Sequence, residues 1–488
     1  MAKKSRILII HGWSDCSESF KDMKAFLGRK GIGDTETIYY ADYESREDNI
    51  TYEDVIEGLN NQLIKNELIQ VNGESPFDLK IIVHSTGGLV VRHWIWRYYE
   101  SLKRMAVCPV THLVMLAPAN FGSPLAQMGK SLLGGLVKGR WKVGDFLEVG
   151  KKILNGLELG SAYQWQLAHR DLLCGEKYFV PEQILTTILV GNSDYSGIRG
   201  WVNKPGTDGT VVIAGTNLNL AKLCLKFAIP KSMDDIMLPH QWETTKAVSN
   251  IAFGILPGLN HGTIVEQSSI ASDKAEAISN VLIKALQLDQ ASFEQFQVEL
   301  REYTKLSYNA DIPKYQQFLV HAIDYQQQSA MDFTLDFAIY KRTAAPGAVH
   351  TEKQRPEIGT LGDQSDAEYR YSRRLNEMIN GDDHTYSLDS SYRRLLVNLN
   401  EIKTILTEMD SDPELSGGYG IFMKVFVPAI DQRMYYATQN LQNILIYDSS
   451  FSDPDLPTFF YENTTTLIEL QVDRMNDYVT VGTEAIDH

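Results

Sequence analysis

An α/β chain built on a mainly parallel sheet, with a smaller β-rich module after it, is what three observations predict. Residues 1–290 alternate short, continuous apolar runs with helical patterns, as expected where buried parallel strands are separated by covering helices. Beyond residue 290 the texture shifts to apolar and polar residues in alternation, the mark of half-buried antiparallel strands. The charge shifts at the same place. Residues 1–290 carry 30 basic and 31 acidic side chains and residues 291–488 carry 16 and 31, so the net −16 belongs almost wholly to the second part. At 488 residues the chain exceeds one ordinary domain. The expected division is a domain over 1–290 and an acidic module over 291–488.

Taken in order, residues 7–10 (Ile-Leu-Ile-Ile) are the first predicted strand, stopped by His11-Gly12. Residues 37–40 are the second. Residues 51–66 place Val55, Leu59 and Leu63 on one helical face. Residues 79–83 form the third strand and run directly into a helix over 86–99. Strands follow at 112–116 and 184–190. The 121–182 stretch between them is too long for an ordinary crossover and is read as a helical cap insertion. In the second part, strands are predicted at 331–339, 421–427, 444–447 and 468–472, with helix around 390–409 and a mobile loop over 343–372, which is rich in Pro and Gly. A sandwich is the expected arrangement there, and no internal repeat points to a solenoid or propeller.

With 43 % apolar and 22 % charged residues the chain has an ordinary globular composition. Its acidity argues against a nucleic-acid partner, which would need clustered Lys and Arg. Cys16, Cys108, Cys174 and Cys224 are too few and scattered for a disulfide framework and form no C-x-x-C pair, so no metal is expected and a reducing compartment fits. The apolar run after Lys3, Lys4 and Arg6 is too short for a signal-peptide core, and no 18-residue apolar stretch occurs. The expected location is the cytoplasm, or outside the cell by a secretion machine that reads no cleaved signal.

Val83-His84-Ser85-Thr86-Gly87-Gly88 lies where a buried strand becomes a helix. That is the setting of a nucleophile elbow, in which a tight turn lifts the serine hydroxyl above the sheet and the helix N-terminus aims N–H groups at it. The usual G-x-S-x-G keeps its second glycine as Gly87, while Val83 stands in place of the first. Read alone, Ser85 also fits a simple helix cap. His11-Gly12-Trp13 ends the first strand, whose following loop supplies one oxyanion donor; the residue after the nucleophile supplies the other. Trp13 and Thr86 are the expected donors.

Asp208, in Thr207-Asp208-Gly209-Thr210, follows the strand at 184–190 and is the expected acid of a catalytic triad, with Asp194 as its rival. His261, in Asn260-His261-Gly262, completes the order Ser, Asp, His, with His240 as its rival. An ordinary histidine pKa near ~6.5 suits a proton shuttle at neutral pH. His84 is read as packing or positioning the elbow, because neighbours on a tight turn point different ways.

The segments ILIIHGW, IIVHSTGGLVVR, LAPANFGSPLA, GTDGTV and LPGLNHGTIV resemble the α/β-hydrolase superfamily, lipase and serine esterase group, over about residues 5–290. HSTGGLVVR is also similar to the elbow of intracellular serine esterases that act on lipids. The resemblance implies a carboxylic ester hydrolase with Ser85 as nucleophile, His261 as base and Asp208 as its partner, needing no cofactor. Thioesterase or acyltransferase chemistry on the same triad, and a non-catalytic scaffold of hydrolase fold, are the alternatives.

The substrate expectation is an ester or lipid. The insertion carries Leu132, Leu133 and Leu136 beside Lys130, Lys138 and Arg140, a composition suited either to a lid that touches a membrane surface or to an ordinary solvated cap. The C-terminal module is read first as a surface for a protein partner. Its acidic turns at 410–414 and 448–455 match no EF-hand spacing and are read as solvated.

Overall fold

The computed structural model describes residues 3–12, 20–32, 38–41, 49–126, 150–173, 175–195, 203–226, 241–247, 249–266, 272–308, 312–341, 364–436, 441, 444–449, 458–476 and 478. The elements, in order, are β1 (Lys4–Ile10), α1 (Lys21–Arg29), β2 (Ile38–Ala41), α2 (Tyr52–Lys65), β3 (Phe77–His84), α3 (Gly87–Ile95), β4 (Val110–Leu116), α4 (Lys151–Leu157), α5 (Ala162–Ala168), β5 (Leu185–Gly191), β6 (Ala221–Lys226), β7 (Gln241–Lys246), β8 (Ala252–Leu256), α6 (Ser272–Gln287) and α7 (Phe293–Ser307). After them come β9 (Tyr315–Asp324), β10 (Thr334–Lys341), α8 (Asp366–Ile379), β11 (Asp383–Thr385), β12 (Tyr392–Asn398), α9 (Leu399–Ser411), β13 (Tyr419–Phe426), β14 (Met434–Tyr436), β15 (Ile444–Asp448), β16 (Thr465–Val472) and β17 (Arg474–Asn476).

Two compact units emerge, interleaved along the chain rather than split at residue 290. The first takes 1–221, 246–317 and 462–465, and the second takes 222–245, 318–461 and 466–488. The departure from a cut at 290 has two local causes. α7 packs on β8 of the first unit, where Thr304 Oγ1 accepts from the Ile255 amide at 3.0 Å and Ser307 Oγ donates to the Ile255 carbonyl at 2.7 Å. β6 and β7, in turn, belong to a sheet of the second unit.

The first unit holds a sheet of order β2-β1-β3-β4-β5-β8 with every pairing parallel. Ile7 to Ile10, Ile81 to Val83 and Leu113 to Leu116 are all buried, because helices cover both faces and leave no side for polar residues. The register sets Ile10 beside Val83, His84 beside Leu116 and Leu116 beside Leu189, so these strands finish along one edge. Loops at the carboxyl ends of parallel strands are where such sheets place their sites.

α2 starts at a capping box: the Asp54 amide donates to Thr51 Oγ1 at 3.2 Å and the Thr51 amide donates to Asp54 Oδ2 at 2.8 Å. The returning leg of the 121–182 insertion docks on α2 and α3. Tyr163 of α5 stacks on Tyr52 with ring centroids 4.3 Å apart, and Gly156 of α4 lies where a Cβ would fall 2.5 Å from the Tyr52 ring. Arg92 of α3 donates through Nε and Nη2 to both oxygens of Asp171, at 2.7 and 3.0 Å, with both side chains fully buried.

In the second unit, two sheets of orders β11-β12-β9-β16-β6-β7 and β10-β13-β15 and the helices α8 and α9 share one apolar core, among it Phe318, Leu395, Phe337, Met423, Leu375 and Ile405. β10 is an edge strand, and α8 lies along it. Gln364, Glu368, Ser372, Asn376 and Asn380, four residues apart, bond successive backbone groups of β10. Ser372 Oγ accepts from the Ile339 amide at 2.8 Å, Asn376 Oδ1 from the Phe337 amide at 2.8 Å, and Gln364 Nε2 donates to the Ile339 carbonyl at 3.0 Å.

Two sequence expectations need correcting here. The loop expected over 343–372 ends in helix, because Ser365 and Glu368 form a capping box that starts α8. The helix expected around 390–409 begins only at Leu399. Tyr392–Asn398 is strand, and the Asn398 side chain accepts from the Asn400 and Glu401 amides at the changeover.

Candidate active site

At the carboxyl end of β3 the chain turns straight into α3, and Ser85 sits in that turn at φ +52°, a left-handed conformation that non-glycine residues seldom hold. The turn is fixed from three sides. The Ser85 amide donates to the Leu116 carbonyl at 3.2 Å, and the Ser85 carbonyl accepts from Gly88 at 3.2 Å and Ala119 at 3.0 Å. A Cβ on Gly12 would stand 2.6 Å from Ser85 Cβ, and one on Gly87 would stand 2.9 Å from the Ile10 carbonyl. Close approach therefore leaves no room for a side chain at Gly12 or Gly87, and the turn forms with Val83 where the usual motif has its first glycine. Thr86 is the N-cap of α3, with its side chain fully buried. Its amide belongs to the first turn, whose N–H groups have no partner within the helix and favour negative charge.

Asp208 sits in a tight turn in which its own carboxylate bonds the chain: Oδ1 accepts from the Thr210 amide at 3.0 Å and the Val211 amide at 2.8 Å. Its Oδ2 lies 3.0 Å from His261 Nδ1, and the His261 amide donates to the Asp208 carbonyl at 3.0 Å. Asp208 is fully buried and His261 nearly so. A carboxylate accepts only, so Nδ1 carries the proton and Nε2 of a neutral His261 keeps its lone pair. Three donors on one carboxylate offset much of the cost of burying it.

The His261 loop follows β8 and is shaped by Asn260, whose Oδ1 accepts from the Gly262 and Thr263 amides at 3.1 and 3.0 Å. It also leans on the end of β5, where the Ser193 amide donates to the Leu259 carbonyl at 2.8 Å. From the other side, His84 Nε2 lies 3.0 Å from the His261 carbonyl. The 116–126 segment ties the elbow to the Asp208 turn: Ser123 Oγ donates to the Thr210 carbonyl at 2.6 Å and the Phe121 amide to Gly215 at 3.0 Å.

The structure thus brings Asp208 and His261 into contact and sets His84, the neighbour of Ser85, against His261. Asp194 bonds no histidine among the described contacts; partial burial raises its carboxyl pKa. His240, Trp13, Leu132, Leu133 and Leu136 lie outside the described residues. Sequence reasoning passed over Ser123 and Asn260. Asn260 had a readable signal, since Asn before a short turn commonly bonds the backbone two residues on. Among the described residues, no three His, Cys, Asp or Glu side chains converge on a metal position. No helix among them is long and apolar enough to cross a membrane. A cavity of about 520 Å³ runs along α2, floored by Leu8, Ile10, Val55, Leu59, Leu63 and Val90; neither Asp208 nor His261 lines it.

No protein-family profile and no curated protein matches the sequence. Solved structures do. Phospholipase PlaB from Legionella pneumophila superposes with a TM-score of 0.72 at 23 % identity, covering 100 % of this chain and 98 % of PlaB. PlaB in complex with thio-NAD superposes with a TM-score of 0.70 at 23 % identity, over 99 % and 97 %. The chain has the α/β-hydrolase fold. Mature lipase BlEst2 from Bacillus licheniformis aligns over 59 % of this chain and 93 % of its own, with a TM-score of 0.36 and 14 % identity. The likeness to PlaB runs through both units, so the β-rich part shares that architecture as well.

Proposed function

We propose that this protein is a serine hydrolase of carboxylic esters with lipid substrates, of lipase or phospholipase type. Ser85 is the nucleophile, His261 the general base and Asp208 its orienting acid. The observation that carries the reading is the buried Asp208–His261 pair, whose hydrogen bond leaves Nε2 available at the strand edge where Ser85 occupies a strained elbow. His261 takes the Ser85 proton as Oγ bonds to the ester carbonyl carbon. The Thr86 amide, with Trp13 as the expected second donor, stabilises the oxyanion. Collapse breaks the bond to the leaving alcohol, which receives the proton from His261. Water then repeats the sequence and frees the acid. The lipid part of the reading is supported by the full-length likeness to a phospholipase.

The test is turnover of a short nitrophenyl ester and of phospholipid vesicles by wild type and Ser85→Ala. Loss of the nucleophile lowers kcat by roughly 10⁴-fold or more. Turnover by the variant within tenfold of wild type, measured on purified protein, overturns the assignment. A fluorophosphonate that labels wild type but not Ser85→Ala supports it independently.

A further inference from the structure

We propose that His84 is a positioning residue for the general base: its Nε2–H holds the main-chain carbonyl of His261 while its ring packs on the His261 imidazole. The inference rests on the reading of His261 as base. The carbonyl can only accept, so the 3.0 Å contact requires the proton on Nε2 of His84. The two rings stand 4.5 Å apart between centroids, tilted by 42°. His84 is 2 % exposed, and burial, helped by the neighbouring His261, pulls its pKa well below the ordinary histidine value. A neutral ring beside the base adds no charge to oppose the imidazolium that forms during the reaction.

His261 is then gripped at three points: its amide and Nδ1 by Asp208, and its carbonyl by His84. The first two fix the base to its acid. Only the third ties it to the strand that carries the nucleophile, through the single peptide bond between His84 and Ser85. The residue before the nucleophile thereby sets the distance over which the proton travels. Misplacing a catalytic group by about 1 Å costs on the order of 100-fold in rate.

Three variants test this with the nitrophenyl ester. His84→Phe fills the site without a donor. His84→Gln carries an amide nitrogen at about the reach of Nε2, and His84→Asn has the same amide one carbon short. The expected result is a kcat lowered about 10- to 100-fold in the Phe and Asn variants with KM nearly unchanged, and a Gln variant within about fivefold of wild type. Fluorophosphonate labelling of Ser85 slows in the same order. Wild-type kcat in the Phe or Asn variant, or equal kcat in Gln and Asn, overturns the proposal. If His84→Phe does not fold, the Gln and Asn comparison decides. Should Ser85→Ala itself keep wild-type turnover, the hydrolase reading fails instead, so the two failures are told apart.

Discussion

Lowering the pH from 7.5 to 5.5 should weaken the first unit by an amount set by two buried histidines. His93, on α3, is 1 % exposed; burial, with Arg170, Arg97 and Arg92 nearby, pulls its pKa from 6.5 to about 4. Its ring nitrogens face Tyr163 Oη and Glu53, but the partly exposed Glu53 does not offset burial and three arginines. His112, on β4, is 7 % exposed and falls from 6.5 to about 4 through burial and Lys80, although its Nε2 lies 2.9 Å from the Leu288 carbonyl. Both pKa values are depressed on folding, so the unfolded chain binds protons that the folded one refuses. Stability is therefore full above about pH 6.5 and declines as the pH falls towards 4. Each such shift, integrated between pH 7.5 and 5.5, costs about 1.3 kcal/mol, or about 2.7 kcal/mol for the pair. His84 adds to the loss in the same direction. The assay is urea unfolding at several pH values, followed by tryptophan fluorescence, since Trp94 is buried in this unit. A loss below about 1 kcal/mol across this range, or a slope unchanged in His93→Phe and His112→Phe, would refute the reasoning.

Asp171→Ala leaves Arg92 buried without its carboxylate and should cost about 3–5 kcal/mol in chemical unfolding, whereas an Arg92→Met, Asp171→Leu double variant recovers much of that loss. Gly12→Ala drives a methyl into Ser85 Cβ; the expected outcome is a loss of about 1–3 kcal/mol by thermal melting together with at least tenfold lower ester turnover. Asp208→Asn keeps the shape of the turn but favours the wrong His261 tautomer, so kcat should fall by about 10⁴-fold while KM holds.

What was legible in the sequence follows from which interactions are local. The runs at 7–10 and 79–83 read directly as strands, because burial on both faces leaves no polar residue to interrupt them. The strand-to-helix turn at Ser85 was legible from a buried strand running straight into a helix through small residues, because close approach at Gly87 leaves no room for a side chain. Asp208 and His261 could be put in order but not in contact, because their bond spans more than fifty residues. Tyr392–Asn398 was misread because Arg393 and Arg394 break the apolar run of a strand. Arg394 is nonetheless 2 % exposed, with its guanidinium bonded to Asp382 at 2.8 Å, a partner that only the tertiary fold supplies. The interleaving of the two units was equally hidden. Nothing local in residues 221–226 announces that they join strands more than ninety residues downstream.

The row of polar side chains from Gln364 to Asn380 has a consequence for the protein at high concentration. An edge strand with free amides and carbonyls invites another chain to add itself, and proteins commonly deter this with charges, bulges or proline. Here side chains of α8 and of the residues flanking it bond the outward amides of Phe337 and Ile339 and the carbonyls of Leu335 and Ile339, so along these residues β10 offers little template for further pairing. Replacing Ser372 and Asn376 with alanine reopens that edge. The expected defect is self-association during size-exclusion chromatography at concentrations where the wild type elutes unchanged, ahead of any large fall in melting temperature.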